Sequence, residues 1–226
     1  MLNLDLGRSA APAFRVLCLG AHCDDIEIGC GGTILSLLER YDNMVVCWVV
    51  FSSTDERAQE ARAGANAFLK AAREKEIVVK QYRDGFLPYA GGQIKDDFEA
   101  LKRLIDPDLI FTHYRDDRHQ DHRLISDLTW NTFRNHLILE YEIPKYDGDL
   151  GSPGFFVPLE ESICTRKIQN IVGSFRSQGH KQWFDEETFL SILRIRGMEA
   201  NSPTRYAEAF YCRKAVVGFF RQGEQR

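Results

Sequence analysis

Hydrophobic residues in this chain fall in short dense runs, each followed by a longer stretch in which apolar positions recur every three or four residues. The dense runs predict strands over Phe14–Leu19, Met44–Ser52, Glu76–Tyr82 and Asp108–Tyr114. Between them the period changes to that of a helix. Gly32–Tyr41 carries Ile34, Leu35, Leu37 and Leu38 on one stripe, and Asp97–Ile105 aligns Phe98, Leu101, Leu104 and Ile105. Asp55–Arg73 is rich in Ala, Glu and Arg, which are good helix formers. A further helix is predicted after Asp121, through Leu124, Leu128 and Phe133. Strands of nearly unbroken Val, Ile, Leu and Phe, alternating with helices, predict a parallel sheet covered on both faces. The expected fold is therefore α/β: a Rossmann-like three-layer sandwich with a mostly parallel sheet.

The pattern changes near residue 140. Glu140–Pro158 holds Pro144, Gly148, Gly151, Pro153, Gly154 and Pro158, which predicts a long loop ending in a short strand at Phe155–Val157. Loops of this length in compact domains often rim a binding site or an interface. Two helices, about Leu159–Ser174 and Asp185–Arg196, and a final strand over Ala207–Tyr211 complete the reading. A length of 226 residues suits one domain, 1–226, with residues 1–13 as a loose arm.

Composition narrows the function. A net charge of −4 argues against nucleic acid as a partner, since phosphate neutralisation wants a basic face. No apolar run approaches the length of a membrane span. The start, Met1-Leu2-Asn3-Leu4-Asp5-Leu6, lacks the basic region and long apolar core of a signal peptide. None of the six cysteines forms a C-x-x-C pair, so a reduced, cytoplasmic protein is expected.

Two segments carry candidate chemistry. Ala21-His22-Cys23-Asp24-Asp25 follows the first strand, and His119-Gln120-Asp121-His122 comes shortly after the fourth. Consecutive strands of an open parallel sheet deliver such loops to one edge. Two imidazoles and a carboxylate meeting there would make a three-ligand zinc site with an open fourth position. Alone, the first segment also reads as a glycine-rich helix start with capping acids. Asp24 lies between His22 and Asp25, near the metal without needing to bind it. His122, opening a helix, is the better ligand of the second pair, which frees His119 for acid chemistry with Asp121 orienting its ring. His113, Asp116 and Asp117 either line the pocket or solvate the loop. Three carboxylates where a pyrophosphate would sit disfavour dinucleotide binding, and no Gly-x-Ser-x-Gly elbow appears. Cys23 reads as a small packing residue rather than a nucleophile.

Taken together, Ala21-His22-Cys23-Asp24-Asp25-Ile26-Glu27-Ile28-Gly29-Cys30-Gly31-Gly32-Thr33 and His119-Gln120-Asp121-His122 resemble the PIG-L/LmbE-like zinc-dependent de-N-acetylases. That family's hallmark is Ala-His-Pro-Asp-Asp-x-Glu-x-Gly-x-Gly-Gly-Thr, then His-Pro-Asp-His after a later strand. Arg57-Ala58-Gln59-Glu60-Ala61, Ser177-Gln178, Arg196-Gly197 and Tyr206-Ala207-Glu208-Ala209-Phe210 extend the likeness over most of the chain. The chain departs from it at Cys23 and Gln120, where the family has proline, and in a shortened loop over Ser52–Arg57.

The resemblance implies an LmbE-like fold and Zn²⁺ (Fe²⁺ or another divalent metal as substitute) held by His22, Asp25 and His122. It implies Asp24 as the general base, with protonated His119 steadying the oxyanion beside Asp121. The substrate it implies is an N-acetylated amino sugar, free or in a sugar nucleotide or glycoconjugate. Arg57, Asp84, Lys145 and Tyr146 are weaker candidates for sugar contacts. In the loop, Tyr141 and Tyr146 would offer ring faces, and Lys145, Asp147 and Asp149 hydrogen bonds. A homo-oligomer stays open. The competing readings are a binding protein that has lost catalysis and a hydrolase of another small amide.

Overall fold

The computed structural model describes residues 13–217. The loose arm expected over residues 1–13 lies outside the described residues, apart from Ala13. Seven strands form one sheet: β1 (Phe14–Gly20), β2 (Met44–Ser52), β3 (Glu74–Tyr82), β4 (Leu109–His113), β5 (Leu137–Tyr141), β6 (Phe155–Leu159) and β7 (Tyr206–Tyr211). Their order is β3-β2-β1-β4-β5-β7-β6. The pairs from β3 to β5 are parallel, whereas β7 runs antiparallel to both β5 and β6.

The helices are α1 (Asp25–Arg40), α2 (Asp55–Phe68), α3 (Gly91–Leu104), α4 (Gln120–Thr132), α5 (Glu161–Ser174) and α6 (Glu186–Glu199). Side chains alternate across β1. Val16 and Cys18 enter a core with Ile34 and Leu38 of α1, Phe68 of α2, Ile168 of α5 and Phe189 of α6. Leu17 and Leu19 enter the opposite core with Phe98 of α3 and Ile125 of α4. These are the two outer layers of the sandwich, one on each face of the sheet.

The strand order explains the site. From β1 the chain winds outward through β2 to β3, then returns to lay β4 on the other flank of β1. The crevice between β1 and β4 is a topological switch point, where the loops leaving neighbouring strands part and leave room for a ligand. Both candidate segments leave strands that border this crevice.

Three expectations are corrected. Helix α1 begins at Asp25, not Gly32. Its glycines are close-approach points: a Cβ on Gly29 would lie 2.1 Å from the Tyr141 ring, and one on Gly31 2.5 Å from Phe68. Residues 137–141, partly assigned to the loop, form β5. Its Glu140 is fully buried, yet it is paired with Arg213 at 2.5 Å and accepts from the Trp130 indole, so the polar residue does not end the strand. Finally, α5 starts at Glu161 because β6 runs through Leu159.

A buried ion pair between α5 and β7 ties both to α1. The Lys167 ammonium meets Glu208 Oε1 and the Ile28 carbonyl, each at 2.6 Å. Glu208 also accepts from the amides of Gly32 (2.7 Å) and Thr33 (2.6 Å). Lys167→Met strands a buried carboxylate and is expected to cost about 3–5 kcal/mol, read from urea unfolding. A loss below about 1 kcal/mol would mean that the two amides suffice.

Candidate metal centre and active site

Helix geometry sets the first segment. Asp24 is the N-cap of α1 and Asp25 its first residue, so adjacent carboxylates leave the backbone in different directions. Asp25 Oδ2 accepts from the His22 amide at 2.6 Å, which folds the segment back on itself. The second segment opens α4: His119 is the N-cap, and Asp121 and His122 lie in the first turn.

The two segments meet. His22 Nδ1 lies 3.1 Å from His122 Nε2 and 3.4 Å from Asp25 Oδ2. His122 Nε2 lies 3.6 Å from Asp25 Oδ1. A tetrahedral ion with bonds of 2.0–2.2 Å places its ligand atoms roughly 3.3–3.6 Å apart; the separations here, 3.1–3.6 Å with the two to Asp25 running to different oxygens, are close to that spacing. The groups that the described residues bring close enough to hold an ion are His22/His119/His122, His22/Asp84/His119/Asp121 and Asp25/His113/His122, which overlap this trio without repeating it.

The far sides of both imidazoles are held by carboxylates. His22 Nε2 faces Asp84 Oδ1 at 3.0 Å and Asp121 Oδ2 at 3.3 Å. His122 Nδ1 faces Asp117 Oδ2 at 2.9 Å. Carboxylates behind metal-binding histidines fix the tautomer and aim the other nitrogen.

The electrostatics call for a cation. Burial opposes charge on His22, but Asp25 and hydrogen bonds to Asp121, Asp25 and Asp84 outweigh it and raise its pKa well above the ordinary value. Burial and the neighbouring His113 push His122 down to about 3. Burial alone would raise Asp25, yet His122, His113 and His22 hold it well below the usual carboxylate range. The carboxylates thus favour a positive charge on His22, and a divalent metal ion would meet the same demand.

Asp24 is only 6% exposed. Burial raises its pKa, and this outweighs the pull of Arg57, whose Nη2 lies 3.2 Å from Oδ2. Arg57 itself is held by Glu60 at 3.0 Å and by Ser177 at 3.3 Å. The sequence offered Arg57 as a sugar contact; its guanidinium is already committed to these three groups. Cys23 is buried, its thiol donates to the Ser52 carbonyl, and burial lifts its pKa to about 12. Such a thiol is no nucleophile near neutral pH. All six cysteines are free.

His119 and Asp121 are arranged otherwise than expected. The Asp121 carboxylate accepts from the amides of Gly85 (2.8 Å) and Leu87 (3.1 Å), so it holds that turn and His22. The Asp121 amide instead donates to His119 Nδ1 at 3.2 Å. An accepting Nδ1 places the ring proton of neutral His119 on Nε2. Burial and His22 both lower the His119 pKa, which favours the neutral ring over the protonated one.

The loop candidates divide. Tyr141 is fully buried, donating to the Leu19 carbonyl at 2.7 Å, so it offers no ring face to a sugar. Lys145 binds Asp117 at 2.9 Å and Asp149 at 2.6 Å, and Asp149 also takes the Arg118 amide. Asp84 pairs with His22 while remaining largely exposed. Tyr146 and Asp147 are exposed. Two residues left open by the sequence prove central to the cluster's geometry. Asp117 holds His122, and His113 is fully buried, stacked on His122 at 3.9 Å with Nε2 3.1 Å from Asp25. Their signal lay only in their place beside the second motif.

This arrangement defines a class: a three-layer α/β domain with a candidate His/Asp metal centre at the switch point. The sequence profile of the PIG-L family, described as GlcNAc-PI de-N-acetylase, matches residues 17–133, and the chain belongs to that family. The uncharacterized deacetylase YaiS of Escherichia coli (strain K12) is 32% identical over 159 residues, covering 64% of this chain and 82% of that protein. The fold is shared with N,N'-diacetylchitobiose deacetylase from Pyrococcus horikoshii, with a TM-score of 0.68 at 23% identity over 88% of this chain and 84% of that one. It is also shared with GalB, the 4-carboxy-2-hydroxymuconate hydratase of Pseudomonas putida KT2440, with a TM-score of 0.67 at 16% identity over 92% and 99%. Because the fold also carries a hydratase, fold alone does not fix the reaction. The family match and the deacetylase relatives support an amide-hydrolysing enzyme. No described helix is long and apolar enough to cross a membrane.

Proposed function

We propose that this protein is a metal-dependent de-N-acetylase that removes the acetyl group of an N-acetylated amino sugar, free or in a sugar nucleotide or glycoconjugate. The observation that carries the reading is the meeting of His22 Nδ1, His122 Nε2 and Asp25, at 3.1–3.6 Å, beside the buried Asp24. We assign these three residues as the metal ligands, with Zn²⁺ as the expected ion and Fe²⁺ as a substitute. The overlapping sets are less suited. His113 Nε2 already accepts from the Ala21 amide at 2.9 Å, and His119 Nδ1 from that of Asp121. When bound, zinc would supply Lewis acidity, polarising the acetamide carbonyl and acidifying water.

The chain's own groups do the rest. Asp24 takes a proton from the attacking water as its oxygen bonds to the carbonyl carbon. Its raised pKa suits this, since a base works best when its pKa approaches the working pH. The Nε2–H of His119 donates to the oxyanion as charge develops there. When the C–N bond breaks, Asp24 returns its proton to the nitrogen, and acetate and a free amine leave. Asp121 supports this through its amide on His119 and its carboxylate on His22. Asp84 and Tyr146 remain the candidates for sugar contacts, Asp84 by its exposed carboxylate and Tyr146 by its ring.

The test is a panel of N-acetylated sugars, their nucleotides and their glycosides, incubated with zinc-loaded protein. Equal amounts of primary amine and acetate are expected from at least one member. A folded, metal-loaded protein that releases neither, yet hydrolyses another small amide or hydrates a double bond, contradicts the sugar assignment.

A further inference from the structure

The long segment between β5 and β6 straps the second motif in place. At its base Glu142 is gripped by Arg196 of α6, with Nε to Oε1 at 2.6 Å and Nη2 to Oε2 at 2.9 Å. Arg196 Nη2 also donates to the Gly151 carbonyl, which closes the base of the loop. At its tip Lys145 Nζ meets Asp117 Oδ2 at 2.9 Å and both oxygens of Asp149, at 2.8 and 2.6 Å. Asp149 in turn accepts from the Arg118 amide at 2.7 Å.

Asp117 is the junction. Its Oδ2 takes both the Lys145 ammonium and His122 Nδ1, while Oδ1 accepts from the His119 amide at 2.7 Å. The residue is 2% exposed. A buried carboxylate is costly unless it is paired and hydrogen-bonded. A neutral imidazole donor leaves its charge uncompensated, and the ammonium of Lys145 supplies the balancing charge.

We infer that Lys145 is a positioning residue for the metal centre, acting through Asp117 on His122 and not on the sugar. This rests on the assignment of His22, Asp25 and His122 as metal ligands. The ammonium holds Asp117 Oδ2 in line with Nδ1 of His122, which turns Nε2 toward His22 and Asp25. Without it, Asp117 and Asp149 face each other as two unscreened carboxylates, the strap loosens, and His122 loses its aim. The strap is then part of the metal site's support. Partners behind a metal-binding histidine typically change metal affinity by 10–100-fold.

The test measures Zn²⁺ affinity by competition with a fluorescent chelator, together with kcat and KM on an active sugar. Lys145→Met is expected to weaken zinc binding by about tenfold, and Lys145→Arg to restore most of it. In an Asp117→Asn background, already weakened, adding Lys145→Met should change affinity by less than about twofold. Thermal unfolding of the metal-free variants checks that each is folded, and Lys145→Gln replaces Lys145→Met should the latter fail. The inference is overturned if Lys145→Met keeps parental zinc affinity and raises KM, which makes it a sugar contact. It is overturned equally if the two substitutions weaken zinc binding independently. Parent protein that binds no zinc at this site fails at the ligand assignment itself; parent protein that binds zinc without the Lys145 coupling fails only here.

Discussion

An Asp24→Asn variant should hold its metal as the parent does and lose on the order of 10²–10⁴ in kcat, the usual scale for removing a general base. Asparagine keeps the shape and removes the proton acceptor. Asp24 makes no side-chain cap bond to α1, so the substitution removes no capping hydrogen bond. Arg57 loses one anion but keeps Glu60 and Ser177, which limits the disturbance. Metal content and kcat, measured on the same sample, check the expectation. Near-parental turnover would move the proton transfer to another group.

The larger effect is expected from the ligands. His22→Ala combined with His122→Ala leaves Asp25 as the sole assigned donor and should abolish metal binding and turnover together. His122→Ala alone should lose most of the metal. Its vacancy leaves Asp117 with Lys145 as partner, so that buried carboxylate is not orphaned and the fold should persist. Elemental analysis after dialysis reads the outcome. A chelator should reproduce the loss in the parent, and added zinc should reverse it. Full occupancy in the double variant would show that the ion sits on another set of donors.

The layers of the fold were legible because the dense apolar runs of the strands and the 3.6-residue period of the helices are strong in the first two thirds of the chain. β2 matches its expected span of Met44–Ser52. The misses have local causes. Glycines at 29, 31 and 32 look like a loop, yet they permit Tyr141, Phe68 and Leu159 to touch the helix. Glu140 looks like a strand end, yet Arg213, seventy-odd residues away, meets its charge. That the two motifs meet at one sheet edge could be read from spacing, since a strand end fixes where its loop emerges. The partners of long side chains could not. Arg57 reaches Ser177 and Asp24, and Lys145 reaches Asp117, through contacts that no local pattern encodes. Likewise, nothing in Asp108–Tyr114 separated His113 from an ordinary strand residue, although packing lays it against His122.

The most direct test of the account is diffraction from zinc-loaded crystals on either side of the zinc absorption edge. A single strong anomalous peak is predicted within bonding distance of His22 Nδ1, Asp25 and His122 Nε2, with Asp24 beside it and unbound. A principal peak among Asp25, His113 and His122, or among Asp84, His119 and Asp121, would contradict the assignment of the centre.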